Sequence, residues 1–204
     1  MSKLRLILLS MLAVFAFSAV ASSAALAAPE WTLNGKAITK TEKVTYKLKS
    51  ATAVLEDATL GVTIKCTALK GKSAQVEVAG KDKGITFFEG CTINIAKCEV
   101  TKGEVKTETL TTKLAEEGTE TIDIFEPPVS KIFAVIKLKG TGCPLTSANV
   151  TGQVTSVIKS PLQGASLTTT FPGPKTALKL AGSPATFEAA VAVAYEGGGE
   201  IGVT

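Results

Sequence analysis

Phe187-Glu188-Ala189-Ala190-Val191-Ala192-Val193-Ala194-Tyr195 is the longest clean alternation in the chain. Successive side chains of a strand point to opposite faces. Phe187, Ala189, Val191, Val193 and Tyr195 therefore share one face, and Glu188 and the intervening alanines share the other. The same period of two marks Val44, Tyr46 and Leu48, then Leu60, Val62, Ile64 and Cys66. It returns at Val76 and Val78, at Ile122 and Ile124 around Asp123, at Ile132 to Leu138, and at Leu167, Thr169 and Phe171. Glycine and proline punctuate these runs at Lys70-Gly71-Lys72, Gly80 to Gly84, Pro127-Pro128, Gly140-Thr141-Gly142, Pro172-Gly173-Pro174, Gly182-Ser183-Pro184 and Gly197 to Gly199. Both residues interrupt ladder pairing, so these clusters read as turns. Leu110 to Glu117 has helical propensity, but its Thr-rich approach favours a strand. The rhythm predicts an all-β antiparallel sandwich of Greek-key or Ig-like style, with roughly ten to thirteen strands.

The first residues follow another rule. Lys3 and Arg5 precede an apolar run from Leu6 to Val20, and small residues end in Ala25-Leu26-Ala27. That order predicts a helical secretory signal peptide over 1–27, cleaved to leave a single all-β domain over 28–204. The apolar run is too short for a membrane span, and no later stretch is long enough. A soft boundary falls near Pro127-Pro128.

Charge excludes more than it suggests. The chain has net charge +4 and no His. Its single Arg is Arg5, so the part after the signal carries positive charge on Lys alone, a net of +2. Arg supplies the planar fork used on phosphates, whereas Lys solvates a surface, so nucleic acid is not an expected partner. Without His, no group has an ordinary pKa near neutrality, which predicts stability that varies little between pH 6 and 8.

Motif-like fragments do not assemble into a catalytic site. Ser156-Val157-Ile158-Lys159 has the S-x-x-K spacing, which needs a helix to bring Lys to Ser; on a strand the two point apart. Gly71-Lys72-Ser73 resembles the end of a phosphate loop, but Cys66 stands where its first Gly belongs, and a polar hairpin turn is expected. Acid pairs that could serve glycoside hydrolysis are Glu56-Asp57, Glu116-Glu117, Asp123 with Glu126, and Glu188 with Glu196. Asp82, flanked by lysines, does not make a calcium loop. Trp31 is expected to pin the first strand to the core. No catalytic, cofactor-binding or metal-ligating residue is assigned, and no cofactor is expected.

Cys66, Cys91, Cys98 and Cys143 form an even set in a chain read as exported, which predicts two disulfides. Their spacing, with no C-x-x-C and no His, argues against zinc. The favoured pairing is Cys91 with Cys98, across a short loop, and Cys66 with Cys143. Cys66 with Cys91 is disfavoured if 59–66, 73–79 and 84–91 form a meander, because strands two places apart lie about 9.6 Å from each other. A disulfide needs its Cα atoms within about 7 Å.

Several landmarks recur in order: Trp31 and Asn34-Gly35; Ile64-Lys65-Cys66; Phe88-Glu89-Gly90-Cys91, then Cys98; Gly103 to Leu110; Gly140-Thr141-Gly142-Cys143; and a closing alternating strand with a Gly-rich end. This order resembles the exported four-cysteine β-rich proteins of actinobacteria, a group without an established activity. The resemblance implies an extracellular or cell-envelope β domain and assigns no site. The function expected is a secreted or envelope module with a non-catalytic binding or structural role toward an unknown extracellular or envelope ligand. The alternative is a secreted glycosidase-like hydrolase using two carboxylates. Two acids facing each other across a pocket would favour the alternative.

Overall fold

The structure is a computed structural model, and it describes residues 28–127 and 131–204. The expected signal peptide lies outside the described residues. Among them there is no α-helix, and no helix is long and apolar enough to cross a membrane.

The described residues form nineteen strand segments. The first seven are β1 (Trp31–Leu33), β2 (Lys36–Ala37), β3 (Glu42–Leu48), β4 (Ala53–Asp57), β5 (Val62–Cys66), β6 (Ala68–Glu77) and β7 (Lys81–Glu89). The middle seven are β8 (Thr92–Ile93), β9 (Glu99–Val100), β10 (Glu104–Thr107), β11 (Leu110–Glu117), β12 (Glu120–Glu126), β13 (Ile132–Lys139) and β14 (Ser147–Lys159). The last five are β15 (Gln163–Gly164), β16 (Leu167–Phe171), β17 (Thr176–Leu180), β18 (Ser183–Tyr195) and β19 (Ile201–Val203). Leu110 to Glu117 is a strand, as its β-branched approach indicates.

Pairing is antiparallel throughout, and it closes. β3, β6, β7, β11, β12, β14, β16 and β18 each pair with the next, and β18 returns to β3. This is the upper ring. A lower ring runs from β4 through β5 and β8, and from the end of β7 through β10, β13, β14 and β17 to β18, which returns to β4. β14 and β18, at 13 residues each, serve both rings. The all-β antiparallel pairing expected from the alternation is present, and its strands link into closed circuits, which leave few unpaired edges.

Two strands can be shared because they bend. Gly152 in β14 has φ +105, and a Cβ there would stand 2.1 Å from the Ala177 carbonyl oxygen. Only glycine lets β14 turn from β17 toward β16 at this point.

Each ring has its own core. The lower one gathers Ile64, Val100, Val105, Ile136, Val150, Val154, Leu178 and Leu180 with three of the cysteines. The upper one gathers Trp31, Val44, Val76, Leu114, Ile158, Leu167, Val193, Ile201 and Val203. A small sheet in the order β15-β19-β1-β2 contributes Trp31, Ile201 and Val203 to the upper core. The Tyr195 hydroxyl fastens it by donating to the Thr32 carbonyl at 3.0 Å. Trp31 is 4% exposed, in the core role expected of it.

The disulfides correct the expected pairing. They join Cys66 to Cys91 and Cys98 to Cys143, with Cα atoms 4.0 and 4.7 Å apart. The meander assumption failed at Thr67. There the chain passes from β5 directly into β6, while β7 passes through Gly90 into β8, so the two arms run as one long bent hairpin. Ala68 faces Glu89, and Lys65 faces Thr92. Cys66 and Cys91 therefore lie side by side on that ladder, one strand apart rather than two. Thr92 to Lys97 does not fold back. Asn94 holds it along β5, its Oδ1 accepting from the Thr63 N–H at 2.9 Å and its side-chain amide donating to the Gly61 carbonyl at 2.9 Å. Cys98 is thereby delivered to the end of β13, where the Gly142 N–H donates to the Lys97 carbonyl at 3.0 Å beside Cys143.

Candidate functional site

β7 alternates Lys81 and Lys83 outward with Asp82 inward, so Asp82 is a strand residue rather than part of a turn. Lysine does not tolerate an apolar lumen, and two of them flanking one residue turn that residue inside. In β12 the inward residues are Asp123 and Phe125. Ile122 and Ile124 lie on the opposite face of the strand, Ile122 buried as their alternation implied and Ile124 half-buried, so that Asp123 is buried in addition to Ile122 rather than exposed. Asp123 stands opposite Leu114 on one side and Ser156 on the other. Thr112, on the strand between the two acids, stands opposite Asp82. Residues paired in register share a face, so Asp82, Thr112, Asp123 and Ser156 all belong to the lumen of the upper ring.

This lumen holds a cavity of about 60 Å³ lined by Asp82, Asp123, Tyr46 and Trp31 at a polar end and by phenylalanines elsewhere. Phe125, Phe171, Phe187 and Phe88 form a chain of ring contacts with centroids 5.3 to 5.7 Å apart. A water needs about 10–15 Å³ of such space, so the cavity admits a few waters. It is far below the roughly 300–1,000 Å³ of an ordinary ligand pocket.

Five buried side-chain atoms in this ring have no well-aligned hydrogen bond: Trp31 Nε1, Asp82 Oδ1, Thr112 Oγ1, Asp123 Oδ1 and Ser156 Oγ. The Thr112 hydroxyl is nonetheless near enough to both carboxyls to favour their ionised forms. Burial outweighs it. Desolvation pushes Asp82 well above the ordinary carboxylate range, and the neighbouring Asp123 charge pushes it further. Asp123 is pushed up to about 6 by burial, against hydrogen bonds from Thr112, Asp82 and the Ile124 backbone. Both carboxyls therefore favour the neutral form, Asp82 the more strongly because the Asp123 charge acts on it as well. Burial, then the charges of Asp82 and Asp123, raise the Tyr46 phenol well above its usual value.

The sequence-derived candidates fall elsewhere. Ser156 is fully buried in the lumen, while Lys159 is exposed on the outer face of β14. The S-x-x-K spacing therefore brings nothing together. Gly71-Lys72-Ser73 is not a hairpin turn; it lies within β6, with a bulge between Lys72 and Gln75. Asp57 is buried, and its Oδ1 closes the β4–β5 turn by accepting from the Leu60 N–H at 2.9 Å and from Ser183 Oγ at 3.1 Å. Glu116 accepts from Thr121 Oγ1 at 3.1 Å, and Glu117 pairs with Lys175 at 2.5 Å. None of the four expected acid pairs forms a site, and the pair that does meet, Asp82 with Asp123, was not among them. Among the described residues, no group of three or more His, Cys, Asp or Glu is placed to hold a metal. No family model, no curated protein and no solved structure matches the chain.

Proposed function

We propose that the chain is an exported module that acts at the cell envelope or outside it by binding or structure, without catalysis, like the four-cysteine β-rich proteins it resembles. The observation that carries this reading is the enclosure of the acid pair that the described residues bring into one lumen, Asp82 with Asp123. Asp82 and Asp123 are each 4% exposed, so a sugar ring has no approach to both. Two disulfides fit an oxidising compartment. The export half predicts a secreted chain beginning at Ala28 or within a residue or two, read by intact mass; Met1 retained in a membrane fraction would sink it. The binding half is tested by capture from envelope fractions with residues 28–204 as bait. A saturable partner supports it, and turnover of any envelope polymer defeats it.

The meeting of Asp82 and Asp123 favours the hydrolase as a second reading. Glycosidase carboxyls stand about 5–5.5 Å apart in retaining enzymes and about 6.5–9.5 Å apart in inverting ones. Asp82 and Asp123 are instead buried beside a cavity that admits only a few waters, which leaves no room for a glycoside between them. A reducing-end assay on a polysaccharide panel, with Asp82→Asn as control, separates the readings: release of sugar abolished by the variant would install the hydrolase.

A further inference from the structure

We infer that Asp82 and Asp123 form a one-proton site that makes closure of the upper ring depend on pH, with the ring most stable in mild acid. The inference begins with what surrounds the pair. β3 contributes Tyr46, and at the ring's end Glu42; β6 contributes Val76, with Glu77 close enough to act on Asp82. β11 contributes Thr112 and Leu114, and β14 contributes Ser156 and Ile158. β16 and β18 contribute Leu167, Thr169, Phe171, Val191 and Val193, and β1 contributes Trp31. None of these is a cation. Lys81 and Lys83 on β7, Lys113 on β11, Lys43 and Lys47 on β3, Lys72 on β6 and Lys159 on β14 are all exposed. Around this pair the described residues supply room for a few waters and no internal counter-charge. Two ionised carboxylates in such a site repel each other, whereas one shared proton turns the repulsion into a hydrogen bond.

The sign follows from burial. Both folded-state pKa values are raised, so the folded chain holds protons that the unfolded chain has released. The resulting stability is fully present below the ordinary aspartate value of 3.8. It declines as pH rises through about 6, where Asp123 ionises, and declines further as Asp82 loses the shared proton. Glu120 acts oppositely. Lys175 lowers its pKa below 4.5, so its contribution disappears in strong acid. The absence of His therefore does not give a flat profile between pH 6 and 8.

The test is thermal unfolding of the disulfide-bonded chain from pH 5 to 8, followed by Trp31 fluorescence. We expect Tm to fall by about 5–10 °C across that window in the native sequence. In Asp82→Asn/Asp123→Asn it should stay level. A flat native profile overturns the proposal, and so does a parallel fall in the double variant. Millimolar calcium or magnesium that cancels the fall also overturns it, because a cation would then occupy the site. If the double variant does not fold, carboxyl ¹³C NMR of the native chain decides. The chain has only three aspartates, Asp57, Asp82 and Asp123. Two of them should titrate above pH 5; ordinary titration of all three ends the idea.

Discussion

Gly71 lies beneath the ring of Tyr46, and a Cβ there would stand 2.7 Å from Tyr46 Cδ2. The backbone at Gly71 is ordinary strand, so only the close approach requires glycine. Gly71→Ala should push the ring toward the acid pair and destabilise by about 1–3 kcal/mol, the usual cost of overpacking. Urea denaturation reads this directly, and an unchanged midpoint would mean the ring moves freely. Legibility at single residues was uneven for a physical reason. Asp82 could have been placed inside from its neighbours, since Lys81 and Lys83 must both face water. Asp123 could not, because Ile122 and Ile124 argue locally for the opposite face. A register shift of one residue turns every side chain over, and only the partners across the ladder set that register.

The strands themselves were readable, because alternation and turn residues are local signals. Partners were not, because pairing joins residues far apart in sequence. The disulfides show the cost of guessing: a meander and a bent hairpin have the same local pattern but place Cys66 differently with respect to Cys91. Non-reducing peptide mapping should give one linked peptide containing Cys66 with Cys91 and another containing Cys98 with Cys143; a Cys91–Cys98 peptide would contradict the hairpin. The two bridges span sequence separations of 25 and 45. In the chain-entropy model, removing either pair as Cys→Ala costs about 3–4 kcal/mol, with the longer loop costing slightly more. Guanidinium melts of the two double variants test that order.

The rings share β14, β18 and the bent hairpin, so neither core survives loss of the other's walls. Unfolding should be a single transition. Trp31 fluorescence reports the upper ring, and the rate at which the disulfides become reducible reports the lower one. The two midpoints should coincide in denaturant; separated midpoints would mean that the rings are independent units. The alternation gave the all-β class, but ring closure was not legible, because it depends on which strand meets which.

Closure also imposes an order in time. β3 has β6 on one side and waits for β18 on the other; β4 has β5 and waits for β18; β1 has β2 and waits for β19. A polypeptide emerging amino end first therefore carries three half-paired strands until residues 183–203 appear. Ser183 to Tyr195 acts as the keystone for both rings, and until it arrives the nascent chain is an open ribbon with edges for which any other strand can compete.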